Sequence, residues 1–174
     1  KLNQPRDVAF LSPNSLLIAD PNNHRVRRLD LDTGIIHGFA GNGINSVTGN
    51  KKLAMEASVA SPKGLAVDPN GTVYIATLHQ IRVVYNAKSD GPHVIDLFAG
   101  VRLGELGDGG VPAREAEFST LGGLAVEPDG SPLVADTGNN KLRRIKKVGQ
   151  EWFVYTVAGT GIAGEMGDGG DPRL

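Results

Sequence analysis

The chain is a succession of short segments rich in Val, Ile and Leu, each followed by residues that favour a tight turn. The first pair of segments occupies residues 7–10 and 17–19, with Ser-Pro-Asn-Ser between them. Asp-Pro-Asn-Gly and Glu-Pro-Asp-Gly stand at the corresponding points further along the chain. Short β-forming segments divided by Pro, Asn and Gly are typical of antiparallel hairpins. The pattern therefore predicts an all-β protein built from consecutive hairpins.

Each group of segments ends in an apolar residue followed by Ala-Gly, which marks a repeat. The marker stands at residues 39–41, 98–100 and 157–159, so both intervals are 59 residues. Before each marker come two hairpin segments, a third segment carrying basic residues and a fourth segment. Four consecutive strands in one repeat predict an antiparallel meander, the blade of a β-propeller. The predicted fold class is all-β, a β-propeller segment of three four-stranded antiparallel blades.

The repeat divides the chain into three units, each a blade with its connector, at residues 1–60, 61–119 and 120–174. A propeller ring needs roughly four to eight blades, so three of them leave sheet edges and blade faces open. We therefore expect this segment to be half of a six-bladed propeller. The other blades would come from a longer chain or from a second copy in a homodimer, and an isolated copy is expected to associate.

The connectors between the predicted blades also repeat. Ala-Met-Glu-Ala at residues 54–57 aligns with Ala-Arg-Glu-Ala at residues 113–116, a pattern that predicts one helical turn with its alanines packed inward. Gly-Asp-Gly-Gly occurs at residues 107–110 and again at 167–170, where glycine would supply the positive φ of a turn. Each connector is therefore predicted to be a structured loop.

Composition adds a few restrictions. The 24 Gly and 10 Pro fit many tight turns, and the absence of Cys excludes disulfides and thiolate metal sites. A formal net charge of -1 provides no global attraction to nucleic acid or to an anionic membrane. No apolar run approaches the roughly 18 residues of a membrane span, and the chain opens at Lys1, so its localisation stays open.

Two stretches carry a family resemblance. The sequences are LIADPNNHRVRR at residues 17–28 and LVADTGNNKLRR at residues 133–144, and both resemble the NHL repeat. The connectors with Gly-Asp-Gly-Gly, Pro-Ala and Glu-Ala are similar to those of long-connector members of that family. Its members serve as interaction modules, sensor domains and RNA binders, and a minority are lyases or hydrolases.

The resemblance implies a scaffold that binds a protein, peptide or glycan partner through its loop-rich face. Part of a propeller lyase or hydrolase, and an RNA-binding NHL surface, are the alternatives. The chain has no Gly-x-Ser-x-Gly nucleophile elbow and no EF-hand spacing, so the sequence predicts no catalytic residue and no cofactor.

In a meander, the hairpin between the second and third strands lies on the same rim as the connector that leaves the blade. That rim is the predicted binding surface, because recognition usually resides on loops carried by a rigid scaffold. Its candidate residues are Asn22, Asn23, His24, Arg25, His79, Asn139, Asn140 and Lys141.

Acidic and basic residues frame two of the three hairpins. Asp20 precedes Arg25 and Asp136 precedes Lys141, whereas the middle copy lacks both charges. Their joint loss predicts a charge-assisted pair across each hairpin, Asp20 with Arg25 and Asp136 with Lys141, that fixes the shape of the loop.

Two further residue types could carry chemistry on this framework. His24 and His79 occupy equivalent hairpin positions and are predicted to be exposed, and the first strands contain no His that could hold an axial metal, so no metal site is predicted. Basic residues on the third segments could form a positive stripe for RNA, although the near-neutral net charge favours a protein partner. They are Arg25, Arg27, Arg28, Arg82, Lys141, Arg143, Arg144, Lys146 and Lys147.

Overall fold

The computed structural model describes residues 1–89, 91–164 and 169–173, and within them it has sixteen strands and two short 3-10 turns. The first sheet is an antiparallel meander in which neighbouring strands follow one another along the chain. Its strands are β1 (Asp7–Ser12), β2 (Ser15–Asp20), β3 (Arg25–Asp30) and β4 (Ile36–Ala40).

The second and third sheets repeat this meander and each gains a fifth strand at the outer edge. The second sheet consists of β6 (Gly64–Val67), β7 (Val73–Ala76), β8 (Ile81–Val84) and β9 (Val94–Ala99), with β5 (Lys52–Leu53) beside β9. The third consists of β13 (Leu121–Val126), β14 (Pro132–Asp136), β15 (Lys141–Val148) and β16 (Glu151–Ala158), with β11 (Gly109–Pro112) beside β16. A parallel pair, β10 (Arg102–Leu103) and β12 (Glu117–Phe118), closes the second connector on itself.

The two fifth strands come from the connectors, so the prediction of four-stranded blades was incomplete. The N–H of Ala54 donates to the carbonyl of His93 at 2.8 Å, and that of Ala113 donates to the carbonyl of Trp152 at 2.7 Å. Each connector thus covers the outer edge of the sheet that follows it, which satisfies backbone groups that an open edge would leave unpaired. The predicted boundary between the first and second units, at residue 60, therefore falls between β5 and the rest of the second sheet, to which β5 belongs.

The repeated Ala-Gly marker ends each meander for a structural reason. Gly41 and Gly100 have φ of +94° and +89°, and a Cβ on Gly41 would collide with the carbonyl oxygen of His24 in the neighbouring hairpin. The N–H of Gly41 donates to Ala54 at 2.8 Å, and that of Gly100 donates to Ala113 at 2.9 Å. Only glycine combines this backbone conformation with so close an approach.

The predicted helical turns of the connectors are confirmed. The N–H of Ala57 donates to the carbonyl of Leu53 at 3.1 Å, and Ala116 donates to Pro112 at 3.1 Å, which is one turn of i to i+4 bonding. The alanines of both turns are buried. Gly107 and Gly110 take positive φ as predicted, whereas the second Gly-Asp-Gly-Gly, residues 167–170, lies partly outside the described residues.

Two hydrophobic cores join the three sheets face to face. The first core lies between the first and second sheets and includes Leu17, Val26 and Ile75, and the second core, between the second and third sheets, includes Val83 and Ile145. The first strands β1, β6 and β13 contact one another in order along one edge of the stack. The sheets are thus arranged side by side with their first strands together, as blades are around a propeller axis.

The two outer faces of the stack have no covering sheet among the described residues. On the first sheet Val8 and Phe10 are 55% and 63% exposed, and on the third sheet Leu142 and Val148 are also exposed. The sheets do not close into a ring. The completed, six-bladed ring therefore stays a prediction.

Candidate functional site

The rim predicted as the binding surface consists of the hairpins after β2, β7 and β14 and of the connectors. Each hairpin lies beside the connector that leaves its sheet, where Gly41, Gly100 and Gly159 approach the carbonyls of His24, His79 and Asn140. Two of these hairpins contain a 3-10 turn, Pro21–Asn23 and Thr137–Asn139. Each turn ends in a residue with left-handed conformation, His24 with φ 51° and Asn140 with φ 52°. The two loops therefore share one backbone shape although their turn sequences differ.

The predicted ion pairs across these hairpins are wrong for both carboxylates. Asp20 accepts the N–H of Asn3 at 2.8 Å and the side-chain amide of Asn23 at 2.8 Å. Asp136 receives the same two kinds of donor, the N–H of Ser119 at 2.8 Å and the amide of Asn139 at 2.9 Å. Each aspartate thus ties its hairpin to the segment that leads into its own sheet.

The basic partners of those predicted pairs turn to the connectors instead. Arg25 donates to the carbonyl oxygens of Gly41 and Asn42, both at 2.8 Å. Lys141 pairs with Asp108 at 2.6 Å. Among the described residues no hydrogen bond or ion pair joins Asp20 to Arg25 or Asp136 to Lys141, although each pair stands directly opposite across its strand ladder. Amide donors bind both carboxylates, and the long basic side chains extend past them to the connectors.

The two hairpin histidines are half-buried, so the prediction that they are exposed was wrong. The Nδ1 atom of His24 accepts the N–H of Ser61 at 3.2 Å, which links the first hairpin to the segment leading into the second sheet. The Nδ1 atom of His79 is buried without a hydrogen-bond partner among the described residues. His24 therefore acts as a contact between sheets.

Most of the predicted polar binding residues are occupied by bonds within the chain. The amide of Asn23 donates to Asp20, and the amide of Asn139 donates to Asp136. The side chain of Lys141 is only 8% exposed. Asn22 and Asn140 are the exposed members of the predicted set. Their amides donate to Oδ1 of Asn3 and to the carbonyl of Gly161, both at 3.3 Å.

The rim also carries an apolar feature that the sequence reasoning missed. Ile44, Leu103 and Ile162 lie 59 residues apart, each at the same place on its connector, and they are 60%, 58% and 80% exposed. Both neighbouring sheets are present around Ile44 and Leu103, so a missing sheet does not explain their exposure. The 59-residue spacing was the signal in the sequence that could have located them.

The basic residues of the third strands do not form a continuous stripe. Arg82 and Arg143 have no exposed surface, and burial lowers the pKa of both guanidinium groups. Arg82 donates to the carbonyl of Ser58 at 3.2 Å, and Arg143 pairs with Asp136 at 3.2 Å. Neither arginine can reach a phosphate backbone from these positions, which corrects the predicted basic surface.

The buried arginine of the third sheet organises a small charged network. Burial would raise the pKa of Asp108, but hydrogen bonds from Lys141 and Thr156 and the charge of Arg143 outweigh it and lower that pKa. Burial raises the pKa of Asp136, against the opposing effect of its hydrogen bonds and of Arg143. The network holds the second connector against the third sheet.

Within the described ranges, no three His, Asp or Glu side chains are grouped closely enough to hold a metal ion. No helix in the described part of the chain has the length and apolar character needed to cross a membrane.

Comparison with known proteins places this arrangement among repeat-built β folds. No protein-family model matches the chain. Over 163 residues, covering 82% of the chain, it is 29% identical to NHL repeat-containing protein 2 of Gallus gallus. Over 107 residues, covering 55% of the chain, it is 34% identical to Teneurin-4 of Homo sapiens. The chain spans 22% and 4% of these two relatives.

Solved structures share the fold at low sequence identity. A structural genomics protein from Bacteroides thetaiotaomicron superposes with a TM-score of 0.63 at 20% identity, covering 80% of this chain and 32% of that one. Virginiamycin B lyase from Staphylococcus aureus superposes with a TM-score of 0.53 at 15% identity, covering 90% of this chain and 41% of that one. Together with the stacked meanders, these likenesses support a β-propeller fold.

Proposed function

We propose that this chain is part of an NHL-type β-propeller scaffold that binds a protein or peptide partner at the rim of its hairpins and connectors. The observation that carries the proposal is the exposure of Ile44 and Leu103 at equivalent points of two connectors. Full burial of one such side chain contributes about 1.5–3 kcal/mol. Two or three of them on one rim supply anchor points for a protein surface.

The loops that carry these anchors are held rigid by bonds within the chain. Arg25 fixes the first connector through two carbonyl oxygens. Asp108 fixes the second through Lys141 and Thr156. A rim ordered in advance loses little conformational entropy when a partner docks, which favours binding.

Polar residues flank the proposed anchors and would complete the surface. Asn22 and Asn140 are exposed beside the first and third connectors. An apolar centre with a polar border is the usual composition of a protein interface. His24, Arg25 and Lys141 would contribute mainly by holding the loops in shape.

We propose further that the three sheets are blades of a six-bladed ring. The support is the pair of open outer faces, on which Val8, Phe10 and Val148 lie exposed. Remaining blades of a longer chain, or a second copy joined head to tail, would cover both faces and remove the open sheet edges.

The rim proposal is tested with the full chain as bait in quantitative affinity capture. The double variant Ile44→Asp, Leu103→Asp should lose the captured partner, because each added carboxylate would be desolvated in the interface. Ile35→Asp is the matched control, since Ile35 is a similarly exposed aliphatic residue in the turn before β4. All three substitutions lie on the surface and should change the free energy of unfolding by less than about 0.5 kcal/mol each.

A partner that is retained by the wild type and by Ile35→Asp but lost by the double variant supports the proposal. If every captured protein is retained equally by all the variants, or lost equally from them, the rim is not the docking surface.

A further inference from the structure

A second concave region lies at the opposite ends of the strands, between the outer parts of the second and third sheets. Two clefts of about 350 and 380 Å³ adjoin there, and Tyr85 and Trp152 line both of them. Tyr85 follows β8 in the second sheet, and Trp152 lies in β16 of the third. We refer to the two clefts together as the intersheet groove. Its volume falls in the range typical of small-ligand sites.

Aromatic side chains are concentrated in the intersheet groove. The chain has nine aromatic residues, five Phe, three Tyr and one Trp, and four of them line the groove. The rings of Tyr74 and Phe98 lie 4.9 Å apart edge to face, and those of Phe98 and Trp152 lie 5.1 Å apart in the same way. Tyr85 is 52% exposed. Buried rings therefore support an aromatic surface that faces solvent.

Polar groups around these rings are available to a ligand. Asn70, Thr72 and Gln150 line the groove, and no hydrogen bond of their side chains is found in the described part of the chain. Asp68 is buried beside them, and one of its oxygens accepts the N–H of Thr72 at 2.7 Å. Amides, a hydroxyl and a carboxylate thus border the aromatic surface.

Charges of both signs line the groove, with a small excess of carboxylates. Four carboxylates line it, and so do three cationic side chains. One of the cations, Arg114, is already paired with Asp96 at 2.8 Å. A strongly charged ligand would meet both attraction and repulsion there, whereas a neutral ligand rich in hydroxyl groups would not.

We propose that the intersheet groove binds a neutral oligosaccharide, at a site separate from the protein-binding rim. The apolar face of a pyranose ring stacks on an aromatic side chain, and its hydroxyl groups bond to amides and carboxylates at the edge of that ring. Tyr85 and Trp152 would provide the stacking surfaces. Asn70, Gln150 and Asp68 would provide the hydrogen bonds.

An equivalent cleft elsewhere in the chain argues that these aromatic residues are not required by the fold. It lies between the first and second sheets and has a volume of about 470 Å³. Asp30 lines this cleft at the position that corresponds to Tyr85. His93 corresponds to Trp152, because the carbonyl of each accepts the N–H of the equivalent connector alanine, Ala54 or Ala113. His93 contacts Phe39 there at 5.5 Å, as Trp152 contacts Phe98 at 5.1 Å. At this intersheet position the fold is therefore built without a Tyr or a Trp.

The single tryptophan makes the proposal directly testable, because fluorescence of Trp152 reports on the groove alone. The full chain is titrated with neutral hexasaccharides of β-1,4-linked glucose, xylose and N-acetylglucosamine and of α-1,4-linked glucose, at up to about 10 mM. We expect at least one of them to change the emission with saturation. Tyr85→Ala should weaken that binding roughly tenfold, and His93→Ala, in the equivalent cleft, should leave it unchanged.

Three results would overturn the proposal. They are the absence of a saturable change with any hexasaccharide, equal affinity of wild type and Tyr85→Ala, and a response to hexalysine alone, which would make the groove a site for cationic peptides. Leu103→Asp on the rim should not affect oligosaccharide binding. Failure of the groove and failure of the protein-binding rim are therefore distinguishable.

Discussion

Methionine in place of Arg143 should reduce stability far more than methionine in place of Arg82, although the two arginines occupy equivalent positions in neighbouring sheets. Both side chains are completely buried, and they differ in their partners. Arg143 lies 3.2 Å from Asp136 and 3.6 Å from Asp108. Arg82 donates to backbone carbonyl oxygens within the described residues, the shortest bond being 3.2 Å, to Ser58.

The expected magnitudes follow from this difference. Removing one member of a buried ion pair typically costs about 3–5 kcal/mol, because the other charge stays buried without compensation. Asp136 keeps its donors from Ser119 and Asn139, so we expect about 3 kcal/mol for Arg143→Met. Arg82→Met removes three long hydrogen bonds and also the cost of burying a guanidinium group, so its effect should stay within about 1 kcal/mol.

Urea unfolding followed by circular dichroism at pH 7 measures both changes in the free energy of unfolding. In thermal unfolding, a loss of about 3 kcal/mol should lower Tm by about 6–12 °C in a chain of this length. Asp136→Asn added to Arg143→Met should recover part of the loss, since it removes the uncompensated charge. Equal losses from the two methionine variants, or no recovery in the double variant, would show that the buried ion pair is not the source of the difference.

Three further outcomes are expected. Gly100→Ala should destabilise the chain by at least about 1 kcal/mol more than Gly130→Ala in urea unfolding. Both glycines have positive φ, +89° and +86°. A Cβ at Gly100 would collide with the carbonyl oxygen of His79, whereas a Cβ at Gly130 would lie in open space. Burial and then Arg28 lower the pKa of His93, so its stabilising contribution is present above pH 6.5 and is lost as the pH falls through the lowered pKa. His93→Gln should accordingly lose less stability than wild type between pH 8 and pH 5. The isolated chain should associate in light scattering because both outer sheet faces expose apolar residues, and a stable compact monomer would contradict the open arrangement.

Strand positions were predictable because they depend on local pattern. The predicted segment at residues 7–10 lies within β1, and that at 151–158 coincides with β16. Alternating apolar residues bounded by turn sequences favour extended structure wherever they occur. The 59-residue repeat then indicated that the same meander is built three times.

Partners of the charged side chains could not be predicted in this way. Asp20 and Arg25 are opposed across the strand ladder, as the hairpin pattern implied, but Asp20 accepts from Asn3 and Asn23, and Arg25 donates to Gly41 and Asn42. Asn3 and Gly41 lie 17 and 16 residues away along the chain. Which donor or acceptor a charged side chain binds depends on which connector residues pass within its reach, and that is set by the folded path of the connectors.

Local sequence was sufficient to predict the strands of the three meanders, the turns between them, the glycine markers and the equal spacing of the copies, because each depends on backbone conformation within a few residues. The fifth strands of the second and third sheets, the burial of Arg82 and Arg143 and the gathering of Tyr85 and Trp152 into one groove became visible only in the folded chain. These features arise where two sheets face each other, and burial and hydrogen bonding there depend on residues far apart in the chain.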